Sequence, residues 1–203
     1  MSQAQISNDK TPRTERGRRT LRKLLDAAAT EFADKGFHEA SISGITRRAG
    51  VALGTFYTYY DSKDAIFRAL VSDMSAGVGR AAREALDPGM GALEVERVAL
   101  RAFLAFAAEH KEIYRIIDEA EFVDPESYRT HYETIGARIE ERLQRGGESG
   151  EFKRGLGAPE AWGLMGMNVF LGLRYVIWAR EGDPDSDEIA KRANALLASG
   201  IAS

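Results

Sequence analysis

The 203-residue sequence contains no cysteine, so it forms no disulfide, carries no thiol nucleophile and offers no thiolate to a metal. Only three histidines are present, His38, His110 and His131, and none sits in a His-Glu-x-x-His pattern, which leaves zinc without its usual ligands. No Gly-x-Ser-x-Gly elbow, Walker loop or Gly-x-Gly-x-x-Gly turn occurs, so common signatures of hydrolases and nucleotide-dependent enzymes are missing. Asp183, Asp185 and Asp187 alternate like the opening of a calcium loop, but Glu188 stands where glycine is needed and Asn194 where the final glutamate belongs. Acids gathered at a helix start account for that run without a metal. The expectation is a protein that is not an enzyme and needs no cofactor.

Long hydrophobic runs are also lacking. The longest apolar stretch, Trp162 to Ala179, is interrupted by Asn168 and Arg174 and reads as a buried helix rather than a membrane span. Met1 to Thr20 has no apolar segment of the kind a secretory signal carries, which points to a cytoplasmic protein. Nothing alternates with a period of two over a useful length, so strands are not expected. What remains is 44% hydrophobic and 29% charged residues, ordinary for a globular chain long enough to bury a real core.

The net charge of −3 argues against nucleic acid, but its distribution argues the other way. Residues 1–63 carry +4 and residues 64–203 carry −7. From Lys10 to Lys23 there are seven basic residues opposed only by Glu15. A basic head on an acidic body suits a chain of which one end meets phosphate. The plain reading of the run is a solvated face, and the sharper one is an arm on a DNA backbone or minor groove.

Apolar spacing predicts helices throughout, an all-α fold of about nine. Leu21, Leu24, Leu25, Ala28 and Phe32 share one helix face, which Gly36 ends. Ser41 caps a second helix with Ile42, Ile45 and Ala49 inward, and Gly50 ends it after two turns. A third runs from about Leu53 to Tyr59, and a fourth, capped by Asp61 or Ser62, from about Lys63 to Leu86. Further helices are expected over Ala92–Glu109, His110–Phe122, Pro125 to about Arg145, Pro159 to about Arg180, and onward from Asp185, with a glycine-rich loop over Gly146–Gly157. The expected organisation is a disordered basic arm over 1–17, a helix-turn-helix domain over 18–62 and a helical body over 63–203.

The informative stretch is Ser41 to Lys63. Two short helices joined by Ala49-Gly50-Val51 make a helix-turn-helix, in which Gly50 supplies the positive φ of the turn. Gly54 and Thr55 near the start of the second helix let its backbone come close to a base edge or phosphate. Tyr57, Tyr59 and Tyr60 divide between packing and pointing hydroxyls outward. Lys63 places an ammonium beside the positive end of the next helix.

Phe32-Ala33-Asp34-Lys35-Gly36-Phe37, Ile45, Ala49-Gly50-Val51, Gly54-Thr55-Phe56-Tyr57-Thr58-Tyr59-Tyr60 and Lys63 together resemble the DNA-binding head of TetR/AcrR-type transcriptional regulators. The match covers about residues 20–70; the rest agrees only in helix number and length. The resemblance implies a homodimeric repressor that a small molecule releases from a palindromic operator in double-stranded DNA. Carried over by position, Leu53 to Tyr59 is the recognition helix, with Gly54 and Thr55 nearest the bases. It further implies DNA contacts from Leu53 and Thr58, phosphate contacts from Tyr57, Tyr59 and Lys63, and help from Ser43 and Arg47. The sequence departs from the pattern at Ala52, Thr46 and the Tyr59-Tyr60 pair, which leaves the phosphate contacts open. A helical ligand-binding or adaptor module with a non-functional DNA head is the alternative.

In the body, the helix from Pro159 to Arg180 is apolar nearly all round and must be covered on both sides. The expected dimer seam is Trp162, Gly166, Phe170, Leu173 and Ile177 with Leu196 and Leu197 of the last helix; the alternative is completion of a monomeric core. Candidate ligand residues are Phe103, Phe106, Tyr114, Phe122, Tyr128, His131, Tyr132, Asn168 and Arg174. Arg174 on an apolar face either binds an anionic ligand or pairs with an acid across the seam. The apolar volume suggests a hydrophobic effector, an aromatic or an acyl chain.

Overall fold

The computed structural model describes Lys10 and residues 12–201. Among the described residues there are nine α-helices and no β-strand: α1 Glu15–Glu39, α2 Ile42–Ala49, α3 Leu53–Tyr59, α4 Lys63–Ala85, α5 Ala92–Glu109, α6 Glu112–Val123, α7 Pro125–Ser149, α8 Ala158–Gly172 and α9 Ser186–Gly200. The all-α expectation holds. The chain forms two compact units, one of residues up to Asp73 with Arg115–Ser127, the other of Met74–Tyr114 with Tyr128–Ser203. The division falls inside α4, whose Ile66, Phe67 and Leu70 are buried on the side of the first unit.

In the first unit, α1 begins earlier than expected, inside the stretch read as a disordered arm. Thr14 caps it by accepting the Gly17 N–H at 3.1 Å, which turns Arg16, Arg18, Arg19 and Arg22 into helix residues. The part of the arm over residues 1–9 and 11 lies outside the described residues. Leu24, Ala28 and Phe32 line the buried face of α1 as their spacing predicts. At Gly36 the backbone swings to φ 77°, and a last turn closes when the Ala40 N–H bonds the Gly36 carbonyl at 3.1 Å. Any side chain at Gly36 would also strike Glu119, whose carboxylate accepts the Phe37 N–H at 2.8 Å. The rings of Phe32, Phe37 and Phe67 pack with centroids 5.0–5.8 Å apart.

A buried charge cluster ties α1 to α2. Glu31 is 0% exposed and receives hydrogen bonds from Lys35 and Arg48, each at 2.7 Å. Arg48 also reaches Asp34 at 2.6 Å. Gly44 leaves room for the Glu31 carboxylate, which a Cβ there would meet at 2.0 Å. Burial works against the charge on Glu31, but Lys35, Arg48 and the Ser41 backbone outweigh it and hold the carboxyl below its ordinary range.

In the second unit, one core gathers Leu100, Leu104 and Ala107 of α5 with Val176, Ile189, Ala190 and Ala193; another gathers Ile139 and Leu143 of α7 with Phe152, Ala161, Leu164 and Met165. Two expectations are corrected here. Helix α7 does not stop near Arg145 but runs to Ser149, because Gly146 gives up its side-chain space to the Phe152 ring, which would meet a Cβ at 2.3 Å. The apolar helix is not regular to Arg180: after Gly172 it widens into a π-helical turn, Leu173–Ile177, closed by the Trp178 N–H on the Leu173 carbonyl at 2.9 Å. Gly172 is buried beneath Tyr114 and Phe103, and the Tyr114 hydroxyl donates to the Val169 carbonyl at 2.8 Å.

Candidate DNA-binding head and ligand cavity

Helix α2 starts at Ser41, whose hydroxyl accepts the Gly44 N–H at 3.0 Å, and stops at Gly50, which takes φ 66° and ψ 36°. The Gly50 and Val51 N–H groups return to the Arg47 and Thr46 carbonyls at 3.3 and 3.0 Å. Helix α3 follows Ala52, which gives it no side-chain cap. Ile45 and Phe56 are fully buried and fix the two helices on the core.

That anchoring decides which face of α3 looks outward. Leu53 and Tyr57 are each about half exposed, Gly54 has nothing within 4 Å of where a side chain would begin, and Thr58 is exposed with its hydroxyl on the Gly54 carbonyl. Thr55 and Tyr59 are half-buried. Tyr60 tilts onto Phe56, with centroids 5.9 Å apart. Burial, with the nearby charge of Asp73, pushes its hydroxyl up to about 12. The tyrosines thus divide, Tyr57 outward and Tyr60 into the packing. On α2, Ser43 and Arg47 are exposed, and Arg47 makes no ion pair among the described residues, whereas Arg48 is held by Glu31 and Asp34.

Lys63 departs from its expected role. Its ammonium donates to the carbonyls of Phe37, His38 and Ala40 at 2.7, 3.1 and 3.0 Å and sits over the Phe37 ring. All three of its protons are engaged, so it serves the frayed end of α1 and has none left for a phosphate. Several cations of the basic run are matched too: Arg18 and Arg19 by Glu15, Arg22 by Asp26 and Asp73, and Lys10 by Asp61.

The second unit holds a pocket, partly open to solvent, between α4, α5, α7 and α8, lined among others by Val78, Gly79, Phe103, Ile135, Arg138, Ile139, Arg142, Met165 and Asn168. Of the nine expected ligand residues, only Phe103 and Asn168 line it. Phe106 instead packs on Gly77 and His110. Tyr114 is engaged with α8, and Tyr128 and Tyr132 meet edge to face. His131 is buried with Nδ1 2.6 Å from the Ser75 hydroxyl, and burial lowers its pKa to about 4. Phe122 is 83% exposed and belongs to the first unit. Arg174 forms a two-pronged pair with Asp183 of its own chain, at 2.8 and 3.0 Å, which settles the charge that the sequence left open. The sequence reading missed Arg138 and Arg142, although they follow Ile135 at i+3 and i+7 and so share its helix face.

The residues expected at a dimer seam divide. Trp162 is half exposed, Phe170 70% and Leu196 68% exposed, and nothing lies within 4 Å of a side chain built on Gly166. Leu173, Ile177 and Leu197 are partly buried, the latter two against the chain's own cores.

A capped two-turn helix, a left-handed glycine and a second short helix with an outward small-residue start define a helix-turn-helix DNA-binding protein. Residues 24–70 match the family "Bacterial regulatory proteins, tetR family". The uncharacterized HTH-type transcriptional regulator YdgC of Bacillus subtilis is 33% identical over 116 residues, 55% of this chain and 58% of that protein. The HTH-type transcriptional repressor KstR2 of Rhodococcus jostii is 26% identical over 196 residues, 92% of each chain. The crystal structure of FadR from Bacillus subtilis in complex with stearoyl-CoA superposes with a TM-score of 0.76, covering 89% of this chain and 98% of that one at 22% identity. Residues 24–70 therefore carry a DNA-binding head of the tetR type.

Proposed function

We propose that the protein is a homodimeric repressor, cytoplasmic, that leaves a palindromic operator when a small hydrophobic effector enters the body. The observation that carries this reading is that α4 contributes Val78, Gly79 and Ala82 to the cavity wall and is the same helix that opens at Lys63 in the DNA-binding head. An occupant that moves that wall acts on a helix shared with the head. Coupling of ~1–3 kcal/mol between such sites is typical of allosteric proteins. The name of KstR2 and the stearoyl-CoA bound to FadR support the repressor role and an apolar effector.

On DNA, Leu53, Gly54, Thr55 and Thr58 face the bases, and Tyr57, Tyr59, Ser43 and Arg47 hold phosphates. Two heads in successive major grooves place their recognition helices roughly 34–36 Å apart. The second copy docks on Trp162, Phe170 and Leu196, which otherwise leave large apolar side chains in water. Selection from random duplex DNA at two salt concentrations tests the reading. An enriched palindrome bound by a dimer, with affinity falling steeply in salt, is expected. Weak binding to every sequence would instead favour a helical adaptor with a non-functional head.

A further inference from the structure

Two polar groups in the cavity wall lack partners. Arg142 is matched: buried Glu96 accepts both of its prongs, at 2.5 and 2.9 Å. Arg138, one turn earlier on the same face of α7, forms no ion pair or hydrogen bond among the described residues and is only half exposed. Its guanidinium lies against the backbone of α4 at Gly79, where a Cβ would sit 2.2 Å from Nη1 and 2.9 Å from Cζ. Glycine at this position is what makes room for the charge. Across the cavity wall, the Asn168 amide makes no hydrogen bond, and its Oδ1 is buried without a donor. The remaining wall is mostly aliphatic, with Val78, Ala82, Ala99, Ile135, Ile139 and Met165.

A half-buried cation and an orphaned amide oxygen are costly unless a partner arrives, and native structures seldom leave such groups unmatched. We infer that the cavity binds a small amphiphilic acid. Its alkyl or aryl body fills the aliphatic wall, its anionic group takes the Arg138 guanidinium, and a hydroxyl or N–H donor of the same molecule takes Asn168 Oδ1. Binding of the anion draws Arg138 off Gly79 and so frees the α4 wall at that point. This inference rests on the reading of the cavity as the effector site and narrows it to one ligand class.

The test uses the full-length protein with a panel of straight-chain and aryl carboxylic acids, their β-hydroxy derivatives, the matching primary alcohols and the matching coenzyme A thioesters. Binding is followed by calorimetry, and release from the selected operator by fluorescence anisotropy. At least one acid should bind tenfold or more tightly than its alcohol, and its β-hydroxy form more tightly still. In Arg138→Gln the acid should fall to the affinity of the alcohol, while the alcohol is unchanged. Gly79→Ala, which displaces the guanidinium without removing it, should also erase the preference and guards against a folding defect in the first variant. Equal binding of acids and alcohols, a preference that survives both variants, tighter binding of the thioester than of the free acid, or no binding of any acid overturns the inference. Alcohols that bind and release DNA without charge preference would overturn it while leaving the effector cavity in place. Operator binding indifferent to every compound would remove both.

Discussion

The ammonium of Lys63 lies 2.7 Å from the carbonyl oxygen of Phe37 and 4.6 Å from the centroid of the same residue's ring. One cation thereby closes the carbonyls left open where α1 breaks at Gly36, and the aromatic ring beneath shields it on one side. Charge-assisted hydrogen bonds of this kind contribute more than neutral ones.

Lys63→Met should therefore lower the stability of the head by about 1–3 kcal/mol. The salt dependence of DNA binding by the folded fraction should stay as in the parent. Thermal melting and a salt titration of operator affinity check this, and a slope flattened by one unit would return Lys63 to the phosphate contacts.

Arg47 is the contrasting residue, exposed at the end of α2 and without an ion pair among the described residues. Arg47→Ala should weaken binding to all duplexes alike and reduce the salt slope by about one. Thr55→Ala should change which bases are preferred more than it changes overall affinity. Repeated selection with each variant separates the two effects.

Glu31 depends on Lys35 and Arg48 for its charge, and its carboxyl is held below the ordinary range although burial opposes this. A carboxylate depressed in the folded state adds stability above its unfolded pKa, and that stability is lost as pH falls through the folded value. Glu31→Gln should lower stability near neutral pH, since it removes the buried carboxylate that Lys35 and Arg48 share. The variant should also lose less stability than the parent in acid. Melting curves at neutral and acid pH give both numbers.

His131 works in a neighbouring pH window. Buried against Ser75, its ring is held neutral, with the pKa lowered from 6.5 to about 4. The unfolded chain takes up the proton first as pH falls, so about 3 kcal/mol of stability disappears between pH 6.5 and 4. His131→Gln should flatten the dependence of melting temperature on pH across that window. An unchanged profile would show that the imidazole titrates freely.

Phe170 stands 70% exposed on α8, with Trp162 and Leu196 also open to solvent. Phe170→Glu should dissociate the proposed dimer and reduce operator affinity at least tenfold, with the monomer still folded. Sedimentation velocity and circular dichroism check the two halves of that statement.

Sequence by itself determined the helical class and the head. Helix faces repeat at 3.6 residues, and caps and turns are local, so Leu24, Phe32, Ser41, Gly50 and Phe56 could be placed without knowing their neighbours. Tertiary structure decided where charges go. Lys63 and Arg47 look alike as cations near a recognition helix, and only the return of the chain past Gly36 brings three carbonyls to one and none to the other. Arg174 and Arg138 both follow apolar residues on helices, yet the loop to Asp183 neutralises the first, while Gly79 on another helix admits the second to the cavity. The cavity was out of reach for the same reason. Aromatic residues at helical spacing mark what is buried, but an unfilled space is made where residues of four helices meet, Gly79, Ala82 and Ala99 among them, and no local pattern records that they meet.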